Sequence, residues 1–304
     1  MAGVEAAKDS NGGLFSMFGA MCCKVGADNG EEVDPAMAVP CFSEETVTRK
    51  ALESSTQDLD LVEREEVEVE GAAMYTGQWF GQMRYGKGVL IRPDGQTYSG
   101  DFVDNRAHGV GRFTAANGNT YEGEWQQDRA HGTGKYLHID GSTYEGQWLQ
   151  DEKSGKGIEN WADGARYDGQ FLHGAKHGDG VYKSATGVQY EGQFKNDKMD
   201  GDGCYKFADQ RTYVGSWVQG HMSGQGKMVW PNGSSYEGQY EKDMKQGEGV
   251  FTWPDQRQYR GQWSGGKQHG KGITVDATGA ESTGEWRNGE RISDAIPEKG
   301  VAFA

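Results

Sequence analysis

Tyr121 to Thr143 reads YEGEWQQDRAHGTGKYLHIDGST, and its pattern returns every 23 residues without an insertion or deletion. Tyrosine opens copies at 75, 98, 121, 144, 167, 190, 213, 236 and 259, and a tenth, partial copy opens in register with Ser282. A fixed short period marks a repeat architecture, in which one small unit stacks on its neighbours. With unit positions numbered 1 to 23, glycine takes position 3 in all ten copies and positions 12 and 14 in all nine full ones. It takes position 21 in seven of nine, with Gln210 and Gln256 in the other two. Glycines placed this regularly are structural, not a sign of low complexity.

Alternation tells how they are used. Residues two apart in a strand share a face, so Tyr121, Gly123 and Trp125 point one way and Glu122 and Glu124 the other. Position 5 is aromatic in all ten copies, from Trp79 and Phe102 to Trp263 and Trp286, and a second strand carries frequent rings at positions 16 and 18, as in Tyr136, Trp161, Tyr205, Phe207, Trp230, Phe251 and Trp253. All nine tryptophans stand at position 5 or 18. Rings from one strand are expected to lie over the bare backbone of the next, a closeness only glycine permits. Asp94-Gly95, Asn117-Gly118, Asp140-Gly141, Asp163-Gly164 and Asn232-Gly233 supply tight-turn dipeptides suited to positive φ. Each unit is therefore one β-hairpin and its turn, and successive hairpins should pair into a meander of roughly 90 Å at ~4.8 Å per strand.

These residues carry a resemblance. Y-x-G-x-W, six residues, G-x-G and then D-G at a 23-residue period is similar to the membrane occupation and recognition nexus (MORN) repeat family, over about residues 74 to 290. The resemblance implies an all-β fold: an elongated, single-layer antiparallel meander of β-hairpin repeats preceded by a mostly disordered acidic tail. It also implies use as spacer, scaffold or partner platform, since related proteins occur at membrane junctions, in ciliary assemblies and in the cortical skeleton of protists. Similar repeats precede phosphoinositide kinase and SET-type methyltransferase domains, but the few residues after Arg291 are too short to fold one, so the chain is expected not to be an enzyme.

The expected organisation is a tail over 1–73, a repeat rod over 74–292 and a short end over 293–304. The charge of −15 is uneven, −11 in the tail and −4 beyond it. An acidic tail and a nearly neutral rod exclude nucleic acid as a partner, which needs a basic footprint. Four cysteines, Cys22, Cys23, Cys41 and Cys204, form no disulfide framework in 304 residues, which fits a reducing, cytoplasmic setting.

In the tail, Leu14, Met17, Phe18 and Met21 fall at i, i+3, i+4 and i+7 and would make one apolar stripe on a helix. The segment is far short of the ~20 residues that span a bilayer. Gly3 behind Ala2 does not suit myristoylation. Cys22 and Cys23, beside the stripe, are candidate S-acylation sites that would hold the chain at a membrane surface; the alternative is that the segment docks a partner or folds back with its thiols unmodified. Ser43 reads as the cap of a short helix with Phe42 stapled against Val47. Val67 and Val69 alternate with Glu66, Glu68 and Glu70, which reads as a leading strand that covers the sheet's first edge or as an acidic linker.

In the rod, Arg84, Arg106, Arg129, Lys153, Lys176, Lys198, Lys245 and Lys267 stand at position 9 or 10, with His221 in the remaining copy. Read as loop residues, they make a candidate basic edge for anionic lipid or an acidic partner. Asp104, Asp128, Asp151, Glu152, Asp197 and Asp243 share those loops and argue instead for a solvated, self-compensating edge. His108, His131, His177 and His269 recur at position 11, too far apart for one zinc site, and are read as packing or hydrogen bonding beside the turn. The recurring G-x-G belongs to the hairpin and not to a phosphate loop. No metal and no cofactor is expected.

The expected function is a non-enzymatic scaffold or adaptor that organises protein partners at a membrane or cytoskeletal structure. Its expected partner or self-association face is the aromatic ladder, represented by Tyr121, Trp125, Tyr144, Trp148, Tyr213 and Trp217, since exposed rings seek cover and a homodimer would supply it. The alternatives are a regulatory or targeting subunit of a separately encoded enzyme such as a phosphoinositide kinase, and direct phosphoinositide binding by the rod.

Overall fold

The computed structural model describes residues 60–294. Cys22, Cys23, the apolar stripe and the Ser43-capped helix lie outside the described residues. What is described is almost entirely strand, and every strand pairing within a unit is antiparallel between chain neighbours. By Cα proximity these residues form two compact units, 60–116 with 124–130, and 117–123 with 131–294.

The first unit opens with β1 (Val62–Val69), which a 3-10 turn at Glu70–Ala72 leads into β2 (Ala73–Phe80). The alternating valines thus form the leading strand, paired from Val62 opposite Trp79 to Val69 opposite Ala73. The sheet begins at Val62 and not at residue 74, because each valine finds an aromatic or apolar neighbour on the ring-bearing face. β3 (Met83–Ile91), β4 (Thr97–Val103) and β5 (Arg106–Thr114) follow. Across residues 117–130, β6 (Thr120–Gln126) and the start of β7 (Arg129–Leu137) are divided between the units. In the second unit the same alternation continues through β8 (Thr143–Leu149) and β9 (Glu152–Asn160) to β20 (Glu281–Arg287) and β21 (Glu290–Asp294).

The two connections of each repeat differ. The hairpin inside a repeat closes through two residues at positions 7 and 8; in the first repeat only Gly81 of the two has positive φ, but from the second repeat on both do: 48° and 68° at Asp104 and Asn105, 47° and 69° at Lys242 and Asp243. Such a turn follows the right-handed twist of the strands it joins. The connection to the next repeat is the Asx-Gly turn, where Gly95, Gly118, Gly141, Gly164 and Gly233 have φ between 87° and 93°. There the Asx side chain accepts from the N–H two residues on, as Asp94 does from Gln96 and Asp140 from Ser142.

The core is the ring face. Position-1 tyrosines are 0 to 3 % exposed, and within each unit they meet position-5 rings edge to face, both of their own repeat and of the next. In the first unit Tyr98 lies 5.1 Å from Phe102 and 5.2 Å from Trp125; in the second, Tyr144 lies 5.0 Å from both Trp148 and Phe171. Edge-to-face pairs of this kind contribute about 0.5–1.5 kcal/mol each beyond the area they bury. The glycines make room for them as expected. A Cβ on Gly134 would stand 2.3 Å from the Tyr121 hydroxyl oxygen, and one on Gly146 would stand 2.5 Å from the Cα of Gly157. Tyr144 then donates its hydroxyl to the Gln147 carbonyl, and Trp148 donates Nε1 to the Gly134 carbonyl of the preceding repeat.

Within each unit the hairpins carry a bulge between positions 3 and 5. Gly77 pairs with Gly88 but Trp79 pairs with Arg84, so the second strand holds extra residues opposite Gln78. Gly86 sits in that bulge at φ 64°, and the Gln78 side chain accepts from the Lys87 N–H at 2.8 Å. Gln147 and Lys156, Gln193 and Asp202, Gln239 and Glu248, and Gln262 and Lys271 repeat the contact, with Asp101 doing the same for Val110.

The ring rows end on arginines. In the first unit the Arg64 guanidinium lies 4.8 Å over Trp79. In the second, where Ser282 replaces the tyrosine, Arg291 lies 5.4 Å over Trp286 and donates to the Ser282 hydroxyl and the Thr283 carbonyl. It occupies the space a tyrosine ring takes elsewhere, since a Cβ on Gly284 would stand 2.6 Å from its Nε.

Candidate functional site

The expected partner face is corrected by burial. Tyr121 and Tyr144 are 0 % exposed, Tyr213 0 %, Trp125 2 %, Trp148 3 % and Trp217 4 %. They are the interior, because position 10 folds over them from the bulged second strand, and the ladder therefore offers no surface for a homodimer.

The basic edge is corrected too. Positions 9 and 10 are the first residues of the second strand and not a loop, so alternation separates them. Position 9 places Arg106, Arg129, Lys198 and Lys267 outward and exposed. Position 10 turns Arg84, Lys153, Lys176 and Lys245 onto the rings, where other repeats carry Ala107, Ala130 or Met222. Arg84 lies 5.7 Å from the Phe102 centroid and donates to the Asn105 carbonyl, and burial lowers its pKa. Lys153 pairs with Glu159, which replaces a ring at position 16, and Lys176 pairs with Asp197 at 3.3 Å.

Several acidic side chains of these turns do not simply cancel charge. Asp128, Asp197 and Asp243, at position 8, accept from the backbone N–H of position 10 one repeat earlier, at Ala107, Lys176 and Met222. Their own N–H donates to the carbonyl of that same residue, which ties consecutive repeats outside the sheet ladder. Burial raises the Asp128 pKa against the pull of its bond to Ala107. The Nδ1 atoms of His131 and His177 are buried without a hydrogen-bond partner, so packing is what those two rings contribute. Among the described residues no three His, Cys, Asp or Glu side chains converge to hold a metal, and no helix is long and apolar enough to cross a membrane.

What the second unit leaves partly open is a row of rings along the turn edge. Trp161, Tyr182, Tyr205, Phe207, Trp230, Phe251 and Trp253, at positions 16 and 18, are half-buried. They pack in short runs: Trp161 with Tyr182 at 6.1 Å, Tyr205 with Phe207 at 4.5 Å, and Trp230 with Phe251 at 5.7 Å followed by Trp253 at 4.9 Å. In the first unit the corresponding Leu90 and Phe113 are buried. Position 18 opens the Asx turn, so its ring is carried by a hydrogen-bonded frame; the Trp230 N–H donates to the Ser234 carbonyl, and the Trp230 carbonyl accepts from the Gly233 N–H.

The two repeats that lack glycine at position 21 keep the same hydrogen-bonded turn on this edge, with glutamine in its left-handed position. Gln210 and Gln256 both have φ 70°. The arginine that follows each pairs with the aspartate before it, Arg211 with Asp209 and Arg257 with Asp255, both at 2.7 Å. The same guanidinium covers the turn's ring, at 4.5 Å over Phe207 and 5.7 Å over Trp253. The signal was present as D-Q-R at 209–211 and 255–257.

Tandem hairpins closed by interlocking rings and glycines define a β-hairpin repeat protein. Nine consecutive matches to the MORN repeat model, over 75–97, 98–120, 121–143, 144–166, 167–189, 190–210, 213–235, 236–256 and 259–281, agree with that reading. The chain belongs to the MORN repeat family. The two shortened matches end at Gln210 and Gln256, where glutamine stands in place of glycine. No curated protein matches the chain. Solved structures similar to it include the TCP10 domain of Danio rerio CPAP, with 11% identity, 76% of this chain and 98% of that chain covered, and a TM-score of 0.37. The SAS-4 TCP domain of Drosophila melanogaster, in complex with a proline-rich motif of Ana2, has 9% identity, 64% and 86% coverage and a TM-score of 0.29. Virginiamycin B lyase from Staphylococcus aureus has 12% identity, 76% and 72% coverage and a TM-score of 0.15. Nothing about the function of this chain follows from likeness at that level.

Proposed function

We propose that this chain is a non-enzymatic scaffold whose second unit holds protein partners through the half-buried ring row from Trp161 to Trp253, while its amino-terminal segment anchors it through Cys22 and Cys23 at a membrane or cytoskeletal structure. The observation that carries the reading is the contrast along one face: position-1 and position-5 rings are closed by their neighbours, whereas the position-16 and position-18 rings of 161–253 keep open faces. Half-buried aromatic groups held by turns present a large apolar area at small cost in conformational entropy, which is what interface anchors do. Direct phosphoinositide binding fits less well, since four of the eight basic residues proposed for it are folded onto rings.

Affinity capture with full-length protein beside a Trp161→Ser/Trp230→Ser/Trp253→Ser variant tests the ring row. Loss of a reproducible set of partners, with the β circular-dichroism signal kept, supports it; an unchanged set overturns it. For the anchor, wild type is expected in the membrane or cytoskeletal fraction and the Cys22→Ser/Cys23→Ser variant in the soluble one; equal partition of the two contradicts it.

A further inference from the structure

Lys245, second residue of β17 (Met244–Thr252), stands apart from the other ring-facing cations. Its Nζ lies 5.0 Å from the centroid of Trp230, 5.0 Å from Tyr236, 4.6 Å from Phe251 and 4.8 Å from Trp263, so four rings from three repeats surround it. Lys153 and Lys176 occupy the same repeat position against two rings each, and each has a carboxylate, from Glu159 and Asp197. Among the described residues no carboxylate pairs with Lys245, whose neighbours are rings and the neutral phenols of Tyr236 and Tyr240. The side chain is not sealed, since Trp230 and Phe251 belong to the half-buried row.

We propose that Lys245 is a covalent modification site of this protein, an amine that takes an acyl group from activated acyl donors such as acyl phosphates ahead of its other lysines. The cage removes water from the ammonium, and no counter-ion restores what is lost, so the neutral amine is favoured. Burial lowers its pKa to about 8. At pH 8 about half of such an amine is neutral, against well under about 1% of an ordinary lysine. The lower basicity of the nitrogen and the partial cover return part of that advantage, which leaves a lead of about tenfold. In the step itself the amine lone pair attacks the acyl carbonyl carbon. A C–N bond forms, the bond to phosphate breaks with its electron pair, and the nitrogen releases a proton to water. The product is an uncharged amide among four rings, a better occupant of that site than the ammonium it replaces.

The test is acetylation of the purified full-length protein by acetyl phosphate at pH 8, with initial rates at each lysine read by peptide mass spectrometry. Lys245 is expected to react about tenfold faster than exposed Lys267 and faster still than ion-paired Lys153. A rate at or below that of Lys267 overturns the proposal in the wild-type protein alone. Opening the cage in Phe251→Ala should bring Lys245 to within about twofold of Lys267, while Phe251→Leu, which keeps an apolar wall, should retain most of the lead; an undiminished rate in a folded Phe251→Ala protein also overturns it.

Discussion

Two glycines of one repeat show how differently the same residue works. Gly134 lies beneath the Tyr121 ring, and a Cβ there would overlap the hydroxyl and ring carbons. Gly141 faces open space, and its φ of 93° is its only demand. Gly134→Ala is therefore expected to cost at least about 3 kcal/mol, since backbone and ring must both shift, and Gly141→Ala about 1–2 kcal/mol for the left-handed backbone alone. Urea denaturation of the two variants checks the ranking, and equal losses would contradict it. The buried tyrosines set an alkaline limit. Burial raises Tyr75, Tyr213 and Tyr259 to about 12, and Tyr144, Tyr167, Tyr190 and Tyr236 further. A phenol pKa raised on folding gives stability that is whole below the unfolded value near 10 and is lost as pH climbs through the folded values. The sheet should thus hold at pH 9.5 and unfold above pH 10 with cooperative appearance of tyrosinate absorbance; tyrosines that titrate near pH 10 in an intact sheet would refute the burial described.

At the scale of the hairpin, the parts legible in the sequence were those with a period. Ten position-3 glycines and ten position-5 rings specify strand faces, and the Asx-Gly dipeptides specify one of the two turns. The other turn was less visible, because positions 7 and 8 vary among Asp, Asn, Gln, His, Lys and Gly, and from the second repeat on share only positive φ. Missing it put positions 9 and 10 in a loop, where their charges read as one edge; inside a strand, alternation separates Arg106 from its ring-facing neighbour Ala107. The position-4 glutamines were invisible for another reason, since a strand of strict alternation has no use for them and only the bulge does. Asp243→Ala, which removes the acceptor for the Met222 N–H, should cost about 1 kcal/mol, read as a shift in the urea midpoint at constant slope. Replacing Gln210 and Gln256 by glycine should gain about 0.5 kcal/mol each, the relief of a left-handed side chain less the added freedom of the unfolded chain. A loss would mean that the Asp–Arg–ring contacts of those turns require the glutamine.

At the scale of the whole molecule, the rings that hold the fold and the rings proposed to hold partners are different ones. Six tryptophans, Trp79, Trp125, Trp148, Trp217, Trp263 and Trp286, are at most 7 % exposed, and three, Trp161, Trp230 and Trp253, are half-buried. That division was hidden in the sequence, where all nine stood as equal members of aromatic-rich strands, because it depends on whether the next repeat supplies a covering group. Oxidative footprinting of tryptophan, in purified protein and in native cell extract, tests it most directly. The account predicts that Trp161, Trp230 and Trp253 react in the purified protein and become protected in the extract, while the other six stay unreactive in both. Reaction of Trp125, Trp148 or Trp217 at the rate of those three, or three half-buried tryptophans as reactive in the extract as in isolation, would contradict it.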